Sequence, residues 1–357
     1  MRAADVQRSG SGELLAIDGL SVDVAAEGGP VRLVNEVSFA VGSQETVALV
    51  GESGSGKSVT AMSILGLMPP RITTTRGSVR FDGRELLGLR SRELDRVRGN
   101  DIAMIFQEPM TSLNPAFTIG EQIAEQVRRH RGLSRQMARE RAISVLDLVG
   151  VPSAAQRIKA YPHEFSGGMR QRVMMAMALS CEPKLLIADE PTTALDVTIQ
   201  ALVLAELHSL QQQLAMSVLF ITHDLGVVAE TADRVVVMYA GQVVESGRTA
   251  DVFANPQHPY TEGLLQSVPR GDTAGSRLWS IPGVMPTPDA LPPGCHFHPR
   301  CAHAQPGVCD QGEPQLQNLG PGRSSRCVRH GELRLSGIGA GGPVESGGVT
   351  IADGGAR

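Results

Sequence analysis

Long apolar runs are missing from this chain of 357 residues, and with them the means to cross a bilayer as a helix, which takes about 18 or more consecutive apolar residues. The start, MRAADVQRSGSGE, lacks the apolar stretch of an export signal, so the chain is expected to remain at the cytoplasmic side and to meet a membrane only through partners. An excess of one charge is missing too. Against 33 Lys and Arg stand 37 Asp and Glu, a net charge of -4, and without a global basic field sequence-independent nucleic-acid binding is disfavoured. Cysteine is sparse at five residues, and neither an internal repeat nor a C-x2-C pair of the structural-zinc kind is visible.

What is present suffices for a core. With 41% hydrophobic residues the chain can form two or three domains on a prior of about 150 residues each. Residues 1–12 read as a flexible lead-in. Alternating apolar runs Leu14 to Val24 and Val31 to Ala40, separated by Glu27-Gly28-Gly29-Pro30, predict an antiparallel strand pair. Thr46 to Val50 predicts a buried strand, and Ser58 to Met68 a helix stopped by Pro69-Pro70. Ile102 to Phe106 predicts a strand ending at Gln107. Thr118 and Glu121 form a capping box for a helix with Ile123 and Val127 on one face, and Ala138, Ala142, Val145 and Val149 repeat the pattern. Strands return at Leu185 to Ala188, Val218 to Thr222 and Val235 to Tyr239, with a helix over Val197 to Leu214. The alternation predicts an α/β domain with a mainly parallel sheet over residues 13–266, carrying an inserted helical subdomain at about 112–180. Seven prolines between 269 and 299 mark a loop-rich unit, 267–332, held by something other than a large core, and 333–357 read as a glycine-rich disordered tail.

Three segments carry chemistry. In GESGSGKS, Gly51, Gly54 and Gly56 let backbone N–H groups turn in around phosphate oxygens, Lys57 supplies a charge to the β- and γ-phosphates, and Ser58 can ligate Mg²⁺. Ser53, Ser55 and Val59 complete the expected nucleotide contacts. In LLIADE, Asp189 ends a buried strand, where a carboxylate is costly unless it serves a cation, and Glu190 is placed to polarise a water. In FSGGM, Ser166, Gly167 and Gly168 open a helix whose N-terminus is an anion site. His223 and Gln107, at strand ends, are candidates for the γ-phosphate and for Mg²⁺ and water; Asp196 is a helix N-cap and a candidate cross-dimer contact. The bland readings are a glycine turn, a capping acid pair and a surface histidine, and only the order of the segments displaces them. Val173, Met174, Met175, Met177 and Leu179 read as core, and Arg128, Arg129, Arg131, Arg135, Arg139 and Arg141 as a solvated helix face.

Taken together, the chain resembles the ATPase subunits of ABC importers, and through FQEPMTSLNP, HEFSGGMRQR, ADEPTTALDVTIQA, ITHDLGVVAE, VMYAGQVVESG, HPYTEGLLQSVP and LPPGCHFHPRC it is similar to the oligopeptide and dipeptide importer family over about residues 14 to 330. The resemblance implies a RecA-like core with an antiparallel β subdomain and a head-to-tail ATPase dimer. Lys57, Ser58, Gln107, Asp189, Glu190 and His223 would act on ATP in cis, and Ser166, Gly167 and Gly168 on the partner's ATP. It also implies a second, non-identical ATPase, to which Met169 in place of the general Gln fits, two transmembrane permeases contacted through Glu108 to Pro115 and the inserted helices, and an external substrate-binding protein. Nickel or glutathione are alternative solutes within related systems. A non-transport ABC ATPase and a subunit that binds ATP without turnover are the rival readings; no coiled coil or second cassette is visible for the first, and intact Lys57, Glu190 and His223 argue against the second. One departure concerns the base: the only aromatic between Leu14 and Gly51 is Phe39, which reads as core, leaving Val31 or Leu33 as an aliphatic surface.

Cys295, Cys301, Cys309 and Cys327 have five, seven and seventeen residues between them, while Cys181 stands alone and reads as buried within an apolar helix. In a chain without an export signal a ligand cluster is favoured over disulfides. Spacing leaves zinc, an iron–sulfur cluster and no metal open, with His296, His298, His303 and His330 as alternative ligands. The resemblance implies a 4Fe-4S cluster on the four cysteines.

Overall fold

The computed structural model describes residues 12–107, 113–191, 197–268 and 280–338. Strands β1 (Glu13–Ala26) and β2 (Gly29–Gly42) pair antiparallel from Ala26 opposite Gly29, so the expected pair is formed around a two-residue turn. With β4 (Thr73–Phe81) and β5 (Arg84–Glu85) they make a four-stranded antiparallel sheet in the order β2-β1-β4-β5.

The second sheet carries the site. Its order is β11-β12-β10-β9-β3-β8-β7-β6, and β6 (Ile102–Ile105), β7 (Leu185–Asp189), β8 (Ser217–Thr222), β3 (Thr46–Val50) and β9 (Arg234–Tyr239) run parallel. Side chains alternate between the faces: Leu185 and Ile187 pack into one apolar cluster, Leu186 and Ala188 into another, which is why these strands read as continuous apolar runs. Strand β10 (Gln242–Arg248) turns back antiparallel to β9, and β12 (Arg323–Ser325), paired with β11 (Gln317–Gly320), adds to it at Glu245 and Ser325.

Helix α1 (Lys57–Ile64) follows the glycine loop but ends four residues before the expected stop. The prolines do not end it; Gly66 does, in the left-handed region at φ 59°, with its N–H on Ser63 O at 3.0 Å and Leu67 N–H on Met62 O at 2.9 Å, the two bonds of a Schellman cap. After α2 (Ser91–Val97), the inserted helices are α3 (Ile119–Arg131), α4 (Arg135–Leu148), the short α5 (Ala154–Arg157) and α6 (Gly167–Leu179). The Thr118–Glu121 capping box forms as expected, and Ile119, Ile123, Val127, Ala138, Ala142 and Val145 are fully buried. Val173, Met174, Met175 and Leu179 of α6 join that core. The arginines depart from a purely solvated face: Arg131 donates to Cys181 O, and Arg141 donates to Ser180 O at 3.0 Å and pairs with Glu182 at 2.8 Å, tying the end of α6 to α3 and α4. Cys181 is buried as expected, but just past the end of α6 rather than within it.

Helices α7 (Val197–Leu214), α8 (Leu225–Thr231), α9 (Thr249–Ala254) and α10 (Pro259–Gln266) complete the described helices. Residues of the proline-rich unit pack onto the ATPase core: Phe297 joins Val235, Val237, Tyr239 and Tyr260, with Ile281, Met285, Cys295 and Cys301 partly buried against them. The expected tail also begins later than position 333, because Ser336 N–H bonds Glu262 Oε1 at 2.7 Å and Ile338 N–H bonds Phe253 O at 2.6 Å. Residues 339–357 lie outside the described range, as do residues 1–11 of the expected lead-in.

Candidate functional site

The phosphate loop joins β3 to α1. Gly51 has no substitute there: a Cβ would lie 2.2 Å from Met238 O and 2.8 Å from Ser55 Oγ. Gly54 and Gly56 take φ of 82° and 100°, and Gly56 caps α1 without a side-chain acceptor, which leaves the helix's first N–H groups for an anion. Lys57 is buried, and its ammonium donates to Gly51 O at 2.7 Å and Glu52 O at 2.9 Å. Burial draws its pKa down while the carboxylates of Glu190, Asp189 and Glu52 oppose that shift. Ser53 and Val59 flank this arrangement in the chain. The half-buried Leu33 reaches the loop through its backbone, with its carbonyl 3.1 Å from the place a Gly56 Cβ would occupy; Val31 is half-buried on the same strand, and Phe39 is core.

Strand β7 ends against this loop. Asp189 is 5% exposed, its Oδ1 has no partner, and burial pushes its pKa up, offset in part by a hydrogen bond from Ser58. A buried carboxylate oxygen left open beside a serine hydroxyl fits a Mg²⁺ site, and the buried, unpartnered Ser55 Oγ fits a phosphate cradle. Next to it Glu190 sits at φ 46°, an uncommon conformation for a side chain with a Cβ, with its N–H on Ile221 O at 2.9 Å. Its Oε2 accepts from Gln107 Nε2 at 2.9 Å, and its Oε1 stands 3.3 Å from His223 Nδ1. Thus the ends of β6, β7 and β8 bring Gln107, Glu190 and His223 together, as the chain order implied, and a carboxylate held this way can orient and polarise a water.

The third segment faces outward. Ser166 caps α6, accepting from Met169 N–H at 3.4 Å; Ser166 and Gly167 are exposed, and a Cβ on Gly167 would meet nothing within 4 Å. Asp196 and residues 108–112 lie outside the described residues.

Comparison with known proteins decides the family. The ABC transporter profile matches residues 34–193, and the profile of the oligopeptide/dipeptide transporter C-terminal region matches residues 244–309. The chain is 51% identical over 320 residues to the oligopeptide transport ATP-binding protein AppD of Bacillus subtilis, covering 89% of this chain and 97% of that protein. The chain belongs to the oligopeptide/dipeptide group of ABC ATP-binding subunits. It is also 50% identical over 318 residues to the oligopeptide transport ATP-binding protein OppD of Salmonella typhimurium, covering 88% and 93% of the two chains. Among solved structures, the dimeric post-hydrolysis state of the ATP-binding cassette MJ0796 with ADP and Pi matches at a TM-score of 0.59 and 26% identity, over 66% of this chain and 98% of that one.

This ABC subunit is therefore an ATPase, and among its described residues no helix is long and apolar enough to cross a membrane. In its C-terminal region Cys295, Cys301, Cys309 and Cys327 all line one cavity, and none is in a disulfide. Backbone N–H groups two residues on approach three of the thiols, from Phe297 to Cys295, His303 to Cys301 and Arg329 to Cys327. Burial raises the Cys295 thiol and pushes Cys301 to about 12 and Cys327 to about 11, so these three stay protonated unless a cation is bound beside them. Three of the candidate histidines have one ring nitrogen engaged: His298 Nδ1 and His330 Nδ1 lie 2.9 and 3.0 Å from the carbonyls of Cys295 and Cys327, and His303 Nε2 pairs with Glu262. Among the described residues no three His, Cys, Asp or Glu side chains are grouped to hold one metal ion.

Sequence reading did not find the contacts of Glu52, Tyr260 and Arg300 that brace the phosphate loop from behind. Glu52 N–H donates to Tyr260 Oη at 2.8 Å, and Arg300 grips the Glu52 carboxylate with both terminal nitrogens, at 2.7 and 3.1 Å. The signal lies 208 and 248 residues away along the chain, beyond any local pattern.

Proposed function

We propose that this ATPase powers peptide import across the cytoplasmic membrane, as one half of a pair of ATPase subunits seated on two membrane permeases that receive peptide from an external binding protein. The partner ATPase is a non-identical chain. The observation that carries this reading is the exposed Ser166–Gly167–Gly168 turn, a helix N-terminus with a hydroxyl and no neighbour over Gly167, in a chain whose C-terminal region matches the oligopeptide/dipeptide profile. An anion site facing outward needs a second molecule to supply the nucleotide.

Within one site, Lys57 and the N–H groups of Gly51, Ser53, Gly54, Ser55, Gly56, Ser58 and Val59 hold the phosphates. Ser58, Asp189 and Gln107 hold Mg²⁺, which when bound neutralises charge on the β- and γ-phosphates. Glu190 orients the attacking water and takes its proton, with Gln107 and His223 steadying the carboxylate and His223 reaching the γ-phosphate. Ser166, Gly167, Gly168 and Asp196 serve the nucleotide of the partner, and residues 13–266 act as the ATPase domain that the 267–332 unit completes.

The same C-terminal unit is proposed to hold a 4Fe-4S cluster on Cys295, Cys301, Cys309 and Cys327. Convergence of four free thiols on one cavity supports it. Anaerobically isolated protein is then brown, with iron and sulfide in equal amounts; a colourless zinc-loaded protein refutes the cluster. The transport reading is tested by isolating the subunit with its membrane partners and measuring peptide uptake into vesicles. ATP-dependent uptake supports it, and recovery with nucleic acid in place of permeases refutes it.

A further inference from the structure

Arg300 belongs to the proline-rich C-terminal unit, one residue before Cys301, yet its guanidinium is spent on the phosphate loop. Arg300 is 9% exposed, and its Nη1 and Nη2 meet the two oxygens of Glu52 at 2.7 and 3.1 Å. Its Nε donates to Pro282 O at 2.8 Å, its Nη1 lies 3.4 Å from Tyr239 Oη, and its guanidinium carbon stands 5.8 Å from the centre of the Tyr239 ring. All three guanidinium nitrogens thus have partners other than Glu52, since Nη2 also lies 3.5 Å from Gly283 O. Behind it, Tyr239, Tyr260 and Phe297 pack edge to face at 4.7 to 5.3 Å, so two of the chain's three tyrosines stand behind this loop.

Glu52 is the one acidic residue in GESGSGKS. It is held at three groups: its N–H by Tyr260, its carbonyl by Lys57 and its carboxylate by Arg300. A carboxylate in a loop built to wrap a polyphosphate opposes the ligand by like charge unless it is neutralised and turned away.

We propose that Arg300 is a positioning residue of the ATP site, holding Glu52 neutralised and directed away from the phosphates, so that the C-terminal unit is a working part of nucleotide binding and not an appended domain. The inference rests on GESGSGKS being the ATP loop, and goes beyond that reading in assigning a residue outside the ATPase core to it. Because the pair is bidentate, with the Arg300 side chain 7% and the Glu52 side chain 29% exposed, removing the arginine alone leaves a partly shielded carboxylate without its counter-charge, whereas removing both charges leaves neither a penalty nor a pair.

The experiment is a double-mutant cycle on the full chain, read as equilibrium binding of ATP and of AMP. Arg300→Gln is expected to weaken ATP binding about tenfold or more and AMP binding much less, since the repulsion grows with phosphate charge. Glu52→Gln is expected to stay within about threefold of wild type, and Glu52→Gln with Arg300→Gln to return to within about threefold as well. A purely structural staple gives a different result: the double variant remains as weak as Arg300→Gln, and AMP suffers equally, which overturns the proposal. Unchanged ATP binding in Arg300→Gln overturns it too. Where Arg300→Gln does not fold, Arg300→Lys replaces it, keeping the charge without the fork; weaker ATP binding relieved by Glu52→Gln is expected, and wild-type affinity overturns the proposal. Wild-type protein that fails to bind ATP would instead refute the loop assignment itself.

Discussion

Gln107 and Glu190 are in direct contact across the parallel sheet: the Gln107 amide donates to Glu190 Oε2 at 2.9 Å, joining the ends of β6 and β7. With His223 Nδ1 at 3.3 Å from the other oxygen and the Glu190 backbone anchored to β8, the carboxylate is oriented from two neighbouring strands. Glu190→Gln keeps the size and removes the base. The expected outcome is ATP affinity within about threefold of wild type with turnover down by at least about a hundredfold, the range of general-base losses. Equal turnover in the assembled transporter would show that Glu190 is not required there and that the partner's site carries the activity.

Gly120 shows where the inserted helices tolerate nothing larger. A Cβ there would lie 2.0 Å from Ile158 Cγ1 and 2.6 Å from Ile158 O, at the point where Gly120 N–H also bonds that carbonyl at 2.9 Å. Gly120→Ala is expected to destabilise the protein by about 1–3 kcal/mol, because both backbone and side chain must move. Thermal unfolding measures it, and an unchanged midpoint would mean that α3 and Ile158 are less closely fitted than described.

A buried acid gives a pH signature. Glu245 is fully buried, accepts N–H groups of Gln257 and His258 at 2.7 and 2.9 Å, and has Arg323 at 3.5 Å; desolvation outweighs these and raises its pKa from 4.5 to about 7. A folded-state pKa above the unfolded one favours folding at low pH, and the contribution is lost as pH rises from 4.5 through 7. The neighbouring His258, lowered to about 3 by its own burial, has the opposite slope. The difference in stability between wild type and Glu245→Gln cancels the histidine and is expected to shift against wild type by about 3 kcal/mol across that window. A pH-independent difference would contradict the raised pKa.

Much of this was legible from local patterns. The β1–β2 pair, the buried parallel strands, the Thr118 cap and the gathering of Asp189, Glu190, Gln107 and His223 follow from alternation, capping chemistry and strand-end position, all properties of a few consecutive residues. The end of α1 is set by Gly66 and not by Pro69-Pro70, because its Schellman bonds depend on backbone geometry rather than on composition. Arg131 and Arg141 read as solvent-facing until the end of α6 came into reach of them. The Arg300–Glu52 pair and the placement of β12 on β10 are contacts between distant segments, set by tertiary packing that no window of sequence contains.

The central claim is that ATP is used in a seam between two subunits, with Ser166, Gly167 and Gly168 of one closing over the phosphate loop of the other. It is tested most directly by the structure of the assembled transporter carrying Glu190→Gln and trapped with ATP. The account predicts the Ser166 turn within hydrogen-bonding distance of the γ-phosphate held by the partner subunit's loop. A turn that faces solvent, or its own chain's nucleotide, in that trapped state would contradict it.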